Sequence, residues 1–212
     1  MKKTQTDVAY EYIKNRIITK FYFPGSHLVE EDLVRDTGVS RTSVRAALSR
    51  LRYEGIVEGS PNRGMIIKRF QREDIVNAFH TRQVLEIAAF ELAINRMMPD
   101  GISRMKMANR QMQHLMENFS ISEYVDYNRS FHWEIALASN NQYLQKYLDE
   151  IYSTLAVCLL FYNNTMDDRR SLLLHDQIVL ALEAKNVEMG KEAIIADNRC
   201  AVDDFSFPLQ LY

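Results

Sequence analysis

The sequence predicts a mainly α protein in two parts: an N-terminal winged helix-turn-helix over residues 1–70 and a C-terminal antiparallel α-helical bundle of about six helices over residues 71–212. Three observations carry that prediction. Two short amphipathic segments meet at a tight turn around Gly38, two apolar runs then flank a Pro61-Asn62-Arg63-Gly64 turn, and the remainder is long helical pattern with few breakers. Between Gly101 and Phe207 the only glycine is Gly190, and no proline occurs before Pro208.

The elements follow in order. Ala9, Tyr10, Ile13 and Ile17 recur at helical spacing, and that helix must end before Phe23-Pro24-Gly25. Residues 28–52 then read as two short helices. Gly38 suits a junction that needs positive φ, and Ser40 can accept the orphan N–H groups that open the second helix. Val39, Val44, Leu48 and Leu51 form the inward stripe of that helix, which leaves Arg41, Thr42 and Arg45 outward. An outward Arg/Thr face on the first turns is the pattern of a recognition helix, since guanidinium pairs bidentately with guanine or phosphate. Gly55-Ile56-Val57 and Met65-Ile66-Ile67 flank the turn that carries Arg63, so a hairpin with a basic tip is expected.

From residue 72 onward, breaks at 97–101, 119–120, 139–141, 163–165 and 185–186 divide the chain into helices of roughly 72–97, 101–118, 121–139, 141–163, 167–185 and 187–204. The second is rich in methionine (Met105, Met107, Met112, Met116) and reads as core and interface filler. Three of the helices carry polar residues on apolar stripes: Asn128 and His132 with Phe131 and Ile135, His175 with Leu172 and Ile178, and Asp197 with Ala193 and Ile194. Each alone reads as a hydrogen-bonded core residue. Polar groups on three core faces need partners, and facing one another is the economical solution. Two imidazoles with two oxygen donors then suit a divalent transition metal such as Zn, Ni or Mn.

Composition divides the chain in the same place. Residues 1–70 hold 13 Lys+Arg against 8 Asp+Glu, and residues 71–212 hold 13 against 20. The overall charge of −2 therefore hides a basic head on an acidic body, an asymmetry suited to a polyanionic partner. The only cysteines, Cys158 and Cys200, lack metal or redox spacing, which points to a reducing, cytoplasmic setting. No apolar run approaches the ~20 residues of a membrane span, so no membrane association is expected.

The strings Phe23-Pro24-Gly25-Ser26-His27-Leu28, Gly38-Val39-Ser40-Arg41-Thr42-Ser43-Val44-Arg45 and Gly55-Ile56-Val57 with Arg63-Gly64 resemble the DNA-binding domain of GntR-family transcription factors. The resemblance implies that Arg41 and Arg45, with Gly64 at the wing tip, touch operator DNA. With the outward neighbours they give an expected DNA-binding set of Arg35, Ser40, Arg41, Thr42, Arg45, Arg63 and Gly64. The chain departs from the family at Glu30 and Glu31, where members often carry a basic residue; Arg35 is a nearby substitute.

The run Asn128-Arg129-Ser130-Phe131-His132 and the later Leu174-His175 segment resemble the all-helical effector domain (FCD type) of the FadR branch. Many members of that branch hold a divalent metal through Asp and three His. Here His132 and His175 match, Asn128 stands in place of Asp, and Asp197 falls at the last His. The expected metal set is therefore Asn128, His132, His175 and Asp197; the alternative is a pocket that takes an organic effector directly. Arg82 and Glu86 match an Arg-x-x-x-Glu in the first helix of such domains, so Arg82 is expected either to grip an effector carboxylate or to pair with Glu86.

The chain thus reads as a homodimeric transcriptional regulator, expected to be a repressor, on a palindromic double-stranded operator under the control of a small-molecule effector. A metal-dependent enzyme using the helical-bundle site is the alternative. It lacks an accompanying nucleophile or general base and leaves the basic head unexplained.

Overall fold

The computed structural model describes residues 3–60, 64–117, 120–162, 169–203 and 205. The chain forms two compact units, Met1–Phe70 and Gln71–Tyr212. The expected hairpin tip at 61–63, with Arg63, lies outside the described residues, as does the expected break at 163–165.

In the first unit α1 (Gln5–Ile18) opens with a capping box. The Asp7 amide donates to Thr4 Oγ1 at 3.1 Å, and the Thr4 amide donates to Asp7 Oδ2 at 3.0 Å. Ala9, Tyr10, Ile13 and Ile17 are its buried face, as their spacing dictates. Helix α2 (Glu30–Thr37) ends at Gly38, whose φ of +69° is left-handed backbone that a side chain would strain. Helix α3 (Arg41–Tyr53) starts at Ser40, whose Oγ accepts from the Ser43 amide at 3.2 Å. Val44, Ala47, Leu48 and Leu51 face inward.

The wing is an antiparallel sheet in the order β1-β3-β2, with β1 at His27–Leu28, β2 at Val57–Ser60 and β3 at Gly64–Ile67. His27 pairs with Ile66 and Leu28 with Met65, so the segment read as the start of a helix is a strand at Leu28. Two residues show no alternation, and only the ladder partner defines such a strand.

In the second unit α4 (Arg72–Ala93) packs on α6 (Ile121–Ser139), α7 (Gln142–Tyr162) and α9 (Val187–Asp203). Helix α5 (Pro99–Leu115) lies against α6 and α8 (Arg169–Ala184), and α8 against α9. These six helices among the described residues form the expected bundle around Phe90, Met105, Met112, Phe131, Ile135, Ile178 and Ile194. The bounds of α4 and α5 differ from the sequence reading, and α5 also ends earlier, at Leu115. Helix α4 ends at Ala93, and α5 starts at Pro99, not Gly101. Proline lacks the amide that a first helical turn leaves unpaired, so it opens α5 where it was read as a break. Gly190 marks where α9 meets α4: a Cβ there would lie 2.1 Å from the Phe90 ring. No helix among the described residues is long and apolar enough to cross a membrane.

Candidate DNA-reading surface and buried ion cluster

The first site is built by α2 and α3. The inward stripe of α3 fixes its rotation, which leaves Arg41, Thr42 and Arg45 exposed on one side. Both arginines are engaged by the first turn of α2. Arg41 Nη2 donates to Glu31 Oε1 at 2.8 Å, and Arg45 Nε donates to Glu30 Oε2 at 2.8 Å. Carboxylates suit that first turn because its unpaired amides form a partly positive helix end. The departure at Glu30 and Glu31 thus has a structural consequence: the exposed arginines are held by their own chain. Arg35 pairs with Asp32 at 2.8 Å and with Asp36 at 3.3 Å. Ser40 spends its oxygen on the α3 cap. Gly64 opens β3 with φ +75°.

The second site is a buried polar cluster inside the bundle. Helix α6 supplies His132, α8 supplies His175 and α9 supplies Asp197, each at 2% exposure or less. One donor atom from each, an imidazole nitrogen or a carboxylate oxygen, lies within 4.8 Å of the other two. The sequence placed these three correctly on core faces. Asn128, one turn before His132, is only half-buried, and no described hydrogen bond ties it to the cluster.

Two residues enter the cluster from α4. Arg82 Nη2 donates to Asp197 Oδ2 at 2.9 Å and lies 2.7 Å from His132 Nε2 and 2.9 Å from His132 Nδ1. Arg82 Nε is 3.1 Å from Glu86 Oε2 but lacks hydrogen-bond geometry, so this buried N–H has no partner. The Arg82–Glu86 pair expected from the sequence is present, and Arg82 also bridges to α6 and α9.

Outer residues orient both imidazoles. His132 Nδ1 lies 3.1 Å from Glu86 Oε1, which in turn accepts from the Tyr152 hydroxyl at 2.7 Å. His175 Nδ1 lies 3.1 Å from Asn109 Oδ1, while the Asn109 amide donates to Leu172 O and Asp176 Oδ1. Both Nε2 atoms lie near Asp197, His132 Nε2 3.6 Å from Oδ2 and His175 Nε2 3.4 Å from Oδ1. The Ser171 hydroxyl donates to Asp197 Oδ1 at 2.7 Å, and Phe131 stacks on the His175 ring at 4.2 Å. Asn109, Tyr152 and Ser171 were missed from sequence. Asn109 had the signal already used for His132, a polar residue on an apolar stripe between Met105 and Met112.

The charges are consistent with this arrangement. Burial and the Arg82 charge push the His132 imidazolium down, so the ring is neutral at physiological pH. Burial would raise Glu86, but Arg82 and His132 overcome it and hold the carboxyl at about 2. Burial likewise opposes ionisation of Asp197, yet His175, Arg82 and His132 keep it below the usual carboxylate range. Two buried imidazoles with Nε2 beside one carboxylate, each with an outer polar group near Nδ1, are a donor set that fits a divalent transition metal. Open grooves of about 630 and 560 Å³ near Arg96 are lined by none of these residues.

A winged helix with an outward arginine face, joined in one chain to a helical bundle with a buried polar cluster, defines a ligand-responsive DNA-binding regulator. Residues 5–67 match the bacterial regulatory proteins of the gntR family, and residues 77–197 match the FCD domain. The chain belongs to the GntR family of transcriptional regulators and carries an FCD effector domain. It is 25% identical over 190 residues to the uncharacterized HTH-type transcriptional regulator YdhC of Bacillus subtilis, covering 88% of this chain and 84% of that one. It is 26% identical over 202 residues to LutR of the same organism, an HTH-type transcriptional regulator, covering 82% and 88%. Its fold matches that of E. coli McbR/YncC with a TM-score of 0.82 at 20% identity, over 95% of this chain and 97% of the other. These relatives are regulators, and they support no enzymatic reading of the bundle.

Proposed function

We propose that the chain acts as a homodimeric repressor in the bacterial cytoplasm. Arg41, Thr42 and Arg45 of α3 would read a two-fold operator, with Arg35, Ser40, Arg63 and Gly64 as flanking contacts. The observation that supports this is the single exposed face of α3: its two arginines contribute nothing to the core and are held only by exchangeable surface ion pairs. A phosphate or a guanine edge offers the same fork geometry as the carboxylates that hold them now. Two-fold pairing of chains implies a palindromic site.

In the body, His132 Nε2, His175 Nε2 and Asp197 would hold a divalent cation, with zinc, nickel or manganese as the candidates. Asn128 would be reached only after a change in its half-buried side chain. The cation would supply a Lewis-acidic point for an effector carboxylate; the residues themselves bind, orient and exclude water. A shift in this cluster would bias the equilibrium between DNA-competent and incompetent dimers.

Selection of binding sites from randomised duplex DNA should return a two-fold motif. On that duplex, Arg45→Ala should weaken binding by about 1–3 kcal/mol in fluorescence anisotropy without shifting the melting temperature. Recovery of no motif, or unchanged affinity in the variant, would remove α3 as the reading surface.

A further inference from the structure

We propose that Arg82 is the resident cation of the buried cluster, and that its guanidinium and a divalent metal are mutually exclusive occupants of the same donors. This rests on the reading of His132, His175 and Asp197 as a cation-binding set. It adds a competitor built into the chain.

The geometry is specific. His132 Nδ1 lies 3.1 Å from Glu86 Oε1, and a neutral imidazole offers a single lone pair. Arg82 Nη2 lies against that ring, 2.7 Å from Nε2 and 2.9 Å from Nδ1, so the guanidinium occupies the space beside either nitrogen. An imidazole nitrogen accepts from a guanidinium or ligates a metal; it has no second lone pair for the other. Asp197 Oδ2, 3.6 Å from His132 Nε2, is also engaged by the same Nη2 at 2.9 Å. A metal bound at the usual ~2.0–2.2 Å from nitrogen and oxygen donors would need those two atoms to turn away from Arg82.

The chain also provides a place for the displaced guanidinium. Glu86 lies one turn along α4, and its Oε2 is already 3.1 Å from Arg82 Nε without a formed hydrogen bond. Rotation about the end of the side chain can complete that pair while Asp197 and His132 are released. A second buried polar atom, Asn198 Oδ1, also has no partner, and the Asn198 amide lies 3.4 Å from Glu86 Oε2. Unsatisfied atoms on both sides of Glu86 show that the ion-paired arrangement leaves hydrogen-bonding capacity unused there. The cluster therefore has two charge arrangements, one closed by Arg82 between α4, α6 and α9, the other closed by a metal between α6, α8 and α9. An element with two discrete arrangements is what coupling between sites requires.

The test is metal affinity in a variant that vacates the place without changing its charge. Arg82→Met with Glu86→Gln removes one positive and one negative group, so the cluster keeps its formal charge. Zinc and nickel binding to full-length protein would be measured by competition with a chromophoric chelator, after purification without a His-tag. The double variant should bind at least tenfold more tightly than the wild type. Methylguanidinium chloride should weaken that binding competitively, beyond sodium chloride of equal ionic strength, and leave the wild type unaffected. Circular dichroism checks folding, and Arg82→Gln with Glu86→Gln provides a second charge-matched pair. Equal or weaker affinity in a folded charge-matched variant overturns the exclusion while leaving the metal reading intact. Binding in the variant alone supports it strongly, and binding in neither protein overturns both.

Discussion

Arg41 and Arg82 meet carboxylates at almost the same distance, 2.8 and 2.9 Å, yet the two contacts belong to different physical regimes. The Arg41–Glu31 pair has side chains 55% and 67% exposed, whereas the Arg82–Asp197 pair is exposed by 4% and 2%. Water and salt compensate the first pair when it opens, so it can exchange a carboxylate for a phosphate at little cost. Nothing compensates the second, so breaking it strands a charge in the bundle. The head keeps its arginines available to a partner outside the chain, and the body ties its arginine into the packing of three helices.

The largest expected effect comes from opening the buried pair. Asp197→Ala removes the acceptor of Arg82 and of Ser171 and should destabilise the bundle by about 3–5 kcal/mol in urea unfolding. A loss below about 1 kcal/mol, the scale of exposed pairs, would place the cluster in the same regime as the head.

Acid titration sharpens the same contrast at intermediate size. In chelator-treated protein, His132 has a folded pKa below its ordinary 6.5, so the unfolded chain takes up the proton first and stability begins to fall as pH drops below 6.5. Glu86 is held at about 2 against an ordinary 4.5, so a second loss sets in below pH 4.5 and runs toward pH 2. Both contributions are fully present at pH 7. The melting temperature should therefore decline in two stages between pH 7 and pH 3; a flat profile over that range would contradict the buried ionic arrangement.

The smallest expected effect on stability is in the head. Glu30→Gln with Glu31→Gln frees Arg45 and Arg41 and should change unfolding free energy by less than about 1 kcal/mol. Operator affinity should nevertheless rise severalfold, with a steeper dependence on salt, because two anions beside the phosphate backbone are gone. Unchanged affinity would mean that the α2 carboxylates do not compete with DNA.

Much of this architecture was legible in the residues. The stripe of α3 and the turn at Gly38 required only helical spacing and a left-handed junction. His132, His175 and Asp197 were found because each interrupts an apolar face. Asn109 carried the same signal, yet its helix was read through its methionines. The β1 strand was not visible, because two residues have no period of their own. Asn128 was grouped with His132 through a four-residue spacing, but that spacing fixes a shared face and not the depth of each residue.

Local rules therefore determined where helices begin, which face turns inward and which arginines remain outside. Periodicity and capping act within one or two turns and leave their record in neighbouring residues. Only the tertiary structure decided that Arg82 would bridge α4 to α6 and α9, and that Glu30 and Glu31 would hold Arg45 and Arg41. Those pairs join residues 15, 50 and 115 positions apart, at Arg45–Glu30, Arg82–His132 and Arg82–Asp197. No repeat in a sequence records such distances, because they are set by how the apolar faces of separate helices close on one another.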